Sequence, residues 1–247
     1  MRNIKLIIEY DGTAYSGWQR QADVRAVQQV IEDTLARILN DRVVLVASSR
    51  TDTGVHALNQ VANFRTASAL PLRNLHLGVN SLLPPDIVVK AVSEVPWEFH
   101  SQYHARGKVY RYRIFNHPVR TALERDRCWH VRRPLDLEAM QRAARHVLGT
   151  HDFSSFCAAQ SEVDNRVRTV TDARLVREEG EGRIAFWIEA DGFLRHMVRN
   201  IVGTLVDIGK GTTAAEDMAR IIEARDRRAA GQAAPARGLC LMEVKYQ

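Results

Sequence analysis

The sequence predicts an α+β protein with largely antiparallel, mixed sheets. Short apolar runs of strand type recur along the whole chain. Between them lie a few longer stretches whose apolar residues fall at helical spacing. The two kinds mix without the steady alternation that a parallel βαβ sheet demands. With 247 residues, 45% of them hydrophobic, the chain can bury one large core or two smaller ones.

Residues 4–10 read as a strand, broken by Asp11-Gly12, and a polar, aromatic loop follows through Gln21. From Val24 the pattern turns helical, with Val27, Val30, Ile31, Leu35, Ile38 and Leu39 on one face. Residues 43–47 and 60–64 are strand-type runs, so the polar segment between them reads as a loop. Pro71 starts a second short helix, Pro84-Pro85 breaks the chain, and 87–92 is a strand. The second half opens with a strand at 109–115. Asp136 is placed to cap a helix that carries Leu137, Met140, Ala144, Val147 and Leu148 on one face and ends at Gly149. Residues 172–176 and 184–188 form strands around a turn at 178–182. A helix covers 195–208, stopped by Gly209 and Gly211, and another covers 214–224. The polar, Ala-rich stretch 225–236 reads as a mobile connector before a final strand at 239–246. The halves look alike in outline, which places a domain boundary near residue 105: an N-terminal half, 1–105, and a C-terminal half, 106–247.

Charge is more informative than composition. The net is +6, yet residues 1–105 hold ten basic and ten acidic side chains. Residues 106–133 hold nine basic groups, Arg106, Lys108, Arg111, Arg113, Arg120, Arg125, Arg127, Arg132 and Arg133, against Glu124 and Asp126, a local net of +7. Such a stripe suits a polyanion, and its arginines suit bidentate phosphate contacts and stacking on bases. Charge alone leaves a merely solvated basic face equally open. No run of about 18 apolar residues is present, so no membrane span is expected. The N-terminal apolar stretch is too short for the core of a signal peptide. Cys128, Cys157 and Cys240 are odd in number and far apart, so neither a disulfide framework nor a zinc site is indicated and a reducing cytoplasm fits.

Ser49-Arg50-Thr51-Asp52-Thr53-Gly54-Val55-His56-Ala57 gathers charge, hydroxyls, glycine and imidazole. A carboxylate on a tight loop between strands can be held in fixed geometry. Spacing alone still favours an ordinary turn in which Asp52 caps its own backbone amides. No Gly-x-Ser-x-Gly elbow points to a serine hydrolase, and no His-x-x-x-His pair or carboxylate cluster points to a metal.

Read together, the blocks carry a resemblance. Arg50-Thr51-Asp52-x-Gly54-Val55-His56-Ala57 resembles the catalytic-aspartate signature of the tRNA pseudouridine synthase A (TruA) family. In order along the chain stand Tyr10-Asp11-Gly12-Thr13-Ala14-Tyr15-Ser16-Gly17-Trp18-Gln19, Lys108-Val109-Tyr110-Arg111-Tyr112, Gly149-Thr150-His151-Asp152-Phe153-Ser154-Ser155-Phe156, Gly192-Phe193-Leu194-Arg195-His196-Met197-Val198-Arg199-Asn200-Ile201-Val202-Gly203, and Ala234-Pro235-Ala236-Arg237-Gly238-Leu239. There are two departures from the pattern. Ser49 replaces the usual glycine and must avoid a positive φ or bear strain. Ser101-Gln102 replaces an Ala-Arg pair that is common after Phe99-His100, removing one possible RNA-contacting cation.

The resemblance implies a pseudouridine synthase fold, with two similar α/β halves and a catalytic cleft between them. It implies isomerisation of uridine to pseudouridine at nucleotides 38, 39 and 40 of the tRNA anticodon stem-loop, with no cofactor and no metal. Asp52 would be the essential carboxylate, Arg199 its opposing charge, and Tyr110 the ring against the target base. Arg50 would help to turn the nucleotide out of its helix. Lys108, Arg111, Arg195 and His56 would contact RNA, although His56 also suits a loop brace. The family pattern further implies a cytoplasmic homodimer.

Overall fold

A computed structural model of the chain describes residues 1–159 and 163–246. Its first elements are β1 (Arg2–Tyr10), α1 (Val27–Leu39), β2 (Val46–Ala47), β3 (His56–Thr66), α2 (Leu72–Leu82) and β4 (Ile87–Val95). Then come β5 (Gly107–Asn116), β6 (Trp129–Val131), α3 (Leu137–Arg145), β7 (Gly149–Asp152), β8 (Val167–Arg177) and β9 (Arg183–Ala190). The series closes with α4 (Met197–Gly209), α5 (Asp217–Ala224) and β10 (Leu239–Lys245). Among the described residues, no helix is long and apolar enough to cross a membrane. The α+β class expected from sequence is the one observed. The chain divides into two compact units: residues 1–106 with the chain from Cys240 onward, and Gly107–Leu239.

In the first unit β1 lies between β3 and β4, antiparallel to both. Period-two alternation on β1 buries Ile4, Leu6, Ile8 and Tyr10. On the far side of β3 sit β2, antiparallel, and β10, parallel. The last strand therefore pairs within this unit, and Asn59 Nδ2 donates to the Met242 carbonyl at 2.7 Å. α2 packs on β4 and α1 on α2. Val27, Ile31 and Leu35 of α1 and Leu75 and Val79 of α2 are buried, each contributing about 1.5–3 kcal/mol of apolar burial.

In the second unit the order is β5-β9-β8-β7, all antiparallel, with β6 parallel on β5. α3 packs on β8 and on α4. α4 is buried nearly all round: Met197, Ile201, Val202, Leu205 and Val206 are fully buried, and the buried polar side chains of Asn200 and Thr204 are hydrogen-bonded to the Phe156 and Asn200 carbonyls.

Four expectations need correction. The run 43–47 pairs as a strand only at Val46–Ala47. At Leu45 the backbone is satisfied by α1 instead: Leu45 N donates to Glu32 Oε1 and Gln28 Nε2 donates to the Leu45 carbonyl. α3 ends at Arg145 and does not reach Gly149, whose φ of +98° opens β7. The chain tightens there through i→i+3 bonds from His146, Val147 and Leu148, which keeps Val147 buried and leaves Leu148 exposed. α4 starts at Met197, because His196 takes a left-handed φ of 65°, and Gly209 lies inside the helix while Gly211 follows it with φ +73°. Finally, 225–236 is docked on α4. Arg227 Nη2 donates to Asn200 Oδ1, Gly231 N to Thr204 Oγ1 and Ala234 N to the Arg199 carbonyl. Alanines in this stretch are small enough to approach the helix, and Ala234 is fully buried.

Candidate active site

Asp52 lies on the loop between β2 and β3, as the sequence predicts. The loop is fixed at its start by side chains. Ser48 Oγ donates to Gln60 Oε1 and Gln60 Nε2 to the Ser49 carbonyl, both at 2.7 Å. The left-handed non-glycine residues described are Asp23, Asn40, His196 and Arg225, so Ser49 fills the usual glycine position without that strain.

The N-terminal block wraps the rest of the loop. Trp18 N donates to the Thr51 carbonyl at 3.0 Å, and Gly54 N to the Tyr15 carbonyl at 3.3 Å. The Tyr10 hydroxyl meets Thr51 Oγ1 at 2.7 Å in a buried bond. Val55 N closes the turn onto the Asp52 carbonyl at 3.1 Å, across Gly54 with φ +77°. Approach is so close that a Cβ at Gly12 would stand 2.0 Å from the Val55 carbonyl oxygen. Thr51 and Val55 are buried, Asp52 is half-buried and Arg50 is exposed. The glycines of this block were quoted in the sequence pattern, but their role in holding the aspartate loop was not legible there.

His56 opens β3 and is buried. Its Nδ1 lies 3.1 Å from both the Gly12 amide and Asp11 Oδ1. One nitrogen cannot accept from the first and donate to the second at once. The amide can only donate, and Thr13 N and Oγ1 already donate to Asp11 Oδ1, so we assign Nδ1 as the acceptor of the Gly12 N–H. In either tautomer the ring ties the loop to the N-terminal block.

Ser101 is fully buried in the same unit. Its amide donates to Asn63 Oδ1, its hydroxyl to the Val46 carbonyl, and its carbonyl accepts from Tyr246. This departure from the family pattern is an internal strut, and Gln102 beside it is exposed.

In the second unit Lys108, Tyr110 and Tyr112 occupy alternate positions of β5 and share a face. Tyr110 is buried edge-on against Phe193, with ring centroids 5.0 Å apart. Tyr112 is a core ring whose hydroxyl donates to the Pro235 carbonyl at 2.7 Å. Burial pushes that phenol far above its ordinary range, against a smaller opposite effect of Arg199 and Arg237. Arg199, on the first turn of α4, is half-buried and donates from Nε to the Ala234 carbonyl at 2.8 Å. Arg195 precedes the helix and is exposed. Arg111 and Arg113 face the other side of β5, where both lie within 4 Å of the Glu178 carboxylate (3.7 and 3.0 Å). Arg111 thus stands on the face opposite Tyr110.

Arg120, Arg125, Arg127, Arg132 and Arg133 are exposed on the segments flanking β6. Of the two acids there, Glu124 pairs with Arg183 and Asp126 with Arg125, both at 3.1 Å. Among the described residues, no three His, Cys, Asp or Glu side chains stand together as metal ligands would.

The family model described as tRNA pseudouridine synthase matches residues 6–104 and 143–247. A tRNA pseudouridine synthase A of Acetivibrio thermocellus is 50% identical over 246 residues, covering all of both chains. One of Pelobacter propionicus is 49% identical, and one of Clostridium acetobutylicum 42%, again over the full length of both. With this match along nearly its whole length, and with the aspartate loop built from the same blocks that carried the resemblance, the chain belongs to the tRNA pseudouridine synthase family.

Proposed function

We propose that this protein isomerises uridine to pseudouridine in the anticodon stem-loop of tRNA, at nucleotides 38, 39 and 40, with Asp52 as its essential carboxylate. In this reaction the N1–C1′ bond breaks, the uracil turns, C5 joins C1′, the C5 proton leaves and N1 gains one. Nothing is oxidised and no outside group enters. The observation that carries the reading is the aspartate loop itself. A half-buried carboxylate sits between buried Thr51 and Val55 on a backbone tied to a second segment. Three first steps are open to Asp52: addition to the uracil ring, attack at C1′, or removal of a sugar proton.

The remaining roles follow in the same reading. Arg199 supplies the charge opposite Asp52. Tyr110 lies against the base, where a ring can stack and a hydroxyl can take part in moving the C5 proton. Arg50, exposed at the start of the loop, takes the space of the extruded nucleotide, whose unstacking costs about a few kcal/mol. Lys108, Arg195 and the exposed arginines flanking β6 bind the RNA backbone, reading shape more than sequence. The enzyme works in the cytoplasm as a homodimer without metal or cofactor.

Purified protein incubated with tRNA transcript and no additive should yield pseudouridine in the anticodon arm, and Asp52→Ala should yield none. Full activity in Asp52→Ala would overturn the catalytic assignment, and release of free uracil would make the protein a glycosidase. Sedimentation at micromolar concentration should give twice the chain mass, and a monomer would remove the dimer from the reading.

A further inference from the structure

Lys108 stands one step along β5 from Tyr110, on the same face. Across the sheet it pairs with Ala190 of β9, and Ala190 pairs with Val170 of β8. Arg168 is two residues from Val170 on β8 and so shares that face. The guanidinium lies over the turn after β9, because a Cβ built on Gly192 would come within 3.3 Å of Arg168 Nε. Arg168 Nη1 is anchored by the Asn165 carbonyl at 2.9 Å and the Val167 carbonyl at 2.6 Å. Among the described residues the Lys108 ammonium makes no hydrogen bond or ion pair. Burial, and then the positive charge of Arg168, hold its ammonium below the usual lysine range.

The fold therefore keeps two cations on one face beside Tyr110, one of them partly desolvated. Such an arrangement costs stability in the free protein. It suits an anion, with three donors on the ammonium and further donors on the guanidinium beyond the nitrogen already anchored. We propose that Lys108 and Arg168 together hold one phosphodiester of the RNA strand next to the target uridine, fixing the nucleotide's backbone while its base meets Tyr110. This rests on the pseudouridine synthase reading above and adds Arg168, on which that reading is silent.

The test uses the intact protein and synthetic anticodon-arm RNAs in which one phosphate near the target uridine is replaced by an uncharged methylphosphonate. With wild type, one position should lower kcat/KM by about tenfold, the size of a lost charge-assisted bond. In Lys108→Gln and in Arg168→Gln that same position should cost less than about twofold, because the partner is already gone. Arg168→Lys, which keeps the charge, should restore most of the wild-type penalty. Melting of RNA-free Lys108→Gln should not fall below wild type, since the change removes a partly buried cation that stands close to a second one. Identical methylphosphonate profiles in wild type and both variants would overturn the proposal, as would a lower melting temperature with an unchanged profile. Failure of wild type to form pseudouridine in unmodified RNA would instead sink the underlying function, so the two failures are distinct.

Discussion

Two irregular regions of this molecule are built in opposite ways. The loop carrying Asp52 is tied to residues far from it in sequence: Trp18, Tyr15 and Tyr10 bond to it, and Gly12 and Gly17 lie against its backbone. The basic segment after β5 takes much of its bonding from near neighbours, besides Arg183 on Glu124 and Arg237 on the Cys128 carbonyl. Arg127 N bonds the Glu124 carbonyl, Arg125 Nη1 the Ala122 carbonyl and Cys128 Sγ the Glu124 carbonyl, while Leu123 and Val119 are left exposed. The difference matches the work each is proposed to do. A reacting carboxylate must be placed to a fraction of an ångström, and a displacement of about 1 Å can cost a hundredfold in rate. A phosphate-binding cation acts over roughly the Debye length, about 8 Å at physiological salt, and tolerates looser placement.

The largest expected effect comes from breaking the tight region where its backbones touch. Gly12→Ala puts a Cβ 2.0 Å from the Val55 carbonyl oxygen, so one of the two segments must move. Pseudouridine formation should fall by about a hundredfold or more, and thermal stability with it. Gly211 is the control. Its φ is +73° but a Cβ there meets nothing within 4 Å, so Gly211→Ala should cost about 1 kcal/mol in melting experiments and leave the rate alone. Equal losses of activity in both variants would show that close approach to the loop is not what positions Asp52.

The loose region should respond through affinity. Replacing Arg120, Arg125, Arg127, Arg132 and Arg133 with glutamine should weaken tRNA binding and flatten its salt dependence, by about 0.7–0.9 in log–log slope for each phosphate contact removed. Turnover at saturating tRNA should stay within a few-fold of wild type, as should the melting temperature. An unchanged slope would place this segment off the RNA path.

The same contrast governs what could be read from sequence. Strands β1 and β8 and helices α1 and α4 were legible because one period of apolar residues decides each locally. The aspartate loop was legible as a loop, and the catalytic role proposed for it rests on the family pattern. What escaped depends on partners distant in the chain. The parallel pairing of β10 with β3, Cys240 opposite His56, leaves no local trace. The docking of 225–236 on α4 rests on polar bonds from Arg227, Gly231 and Ala234, which a polar, Ala-rich composition disguises as a linker. α3 ended early because backbone bonding changed type while the apolar spacing continued. Arg168 was one arginine among many until the strand register set it on the face of Lys108.

The smallest effect sharpens the comparison most, because it separates rate from stability. Tyr10→Phe removes one hydroxyl and leaves Thr51 Oγ1 without its 2.7 Å partner next to Asp52. A buried hydrogen bond of this kind is worth about 1 kcal/mol net, and the abandoned hydroxyl adds a desolvation cost of about 1–3 kcal/mol. Thr51→Val alone strands the tyrosine's side of the same bond. The double variant strands neither, so the two losses should not add, and the cycle should return a coupling of about 1 kcal/mol. Because Thr51 adjoins Asp52, the single variants should also lower kcat, by less than about tenfold, with KM for tRNA unchanged. A surface substitution in the basic segment that costs the same stability should leave kcat untouched. If Tyr10→Phe instead raised KM alone, the bond would serve RNA binding, and the division between a loop that sets rate and a segment that sets affinity would fail at its closest point to the aspartate.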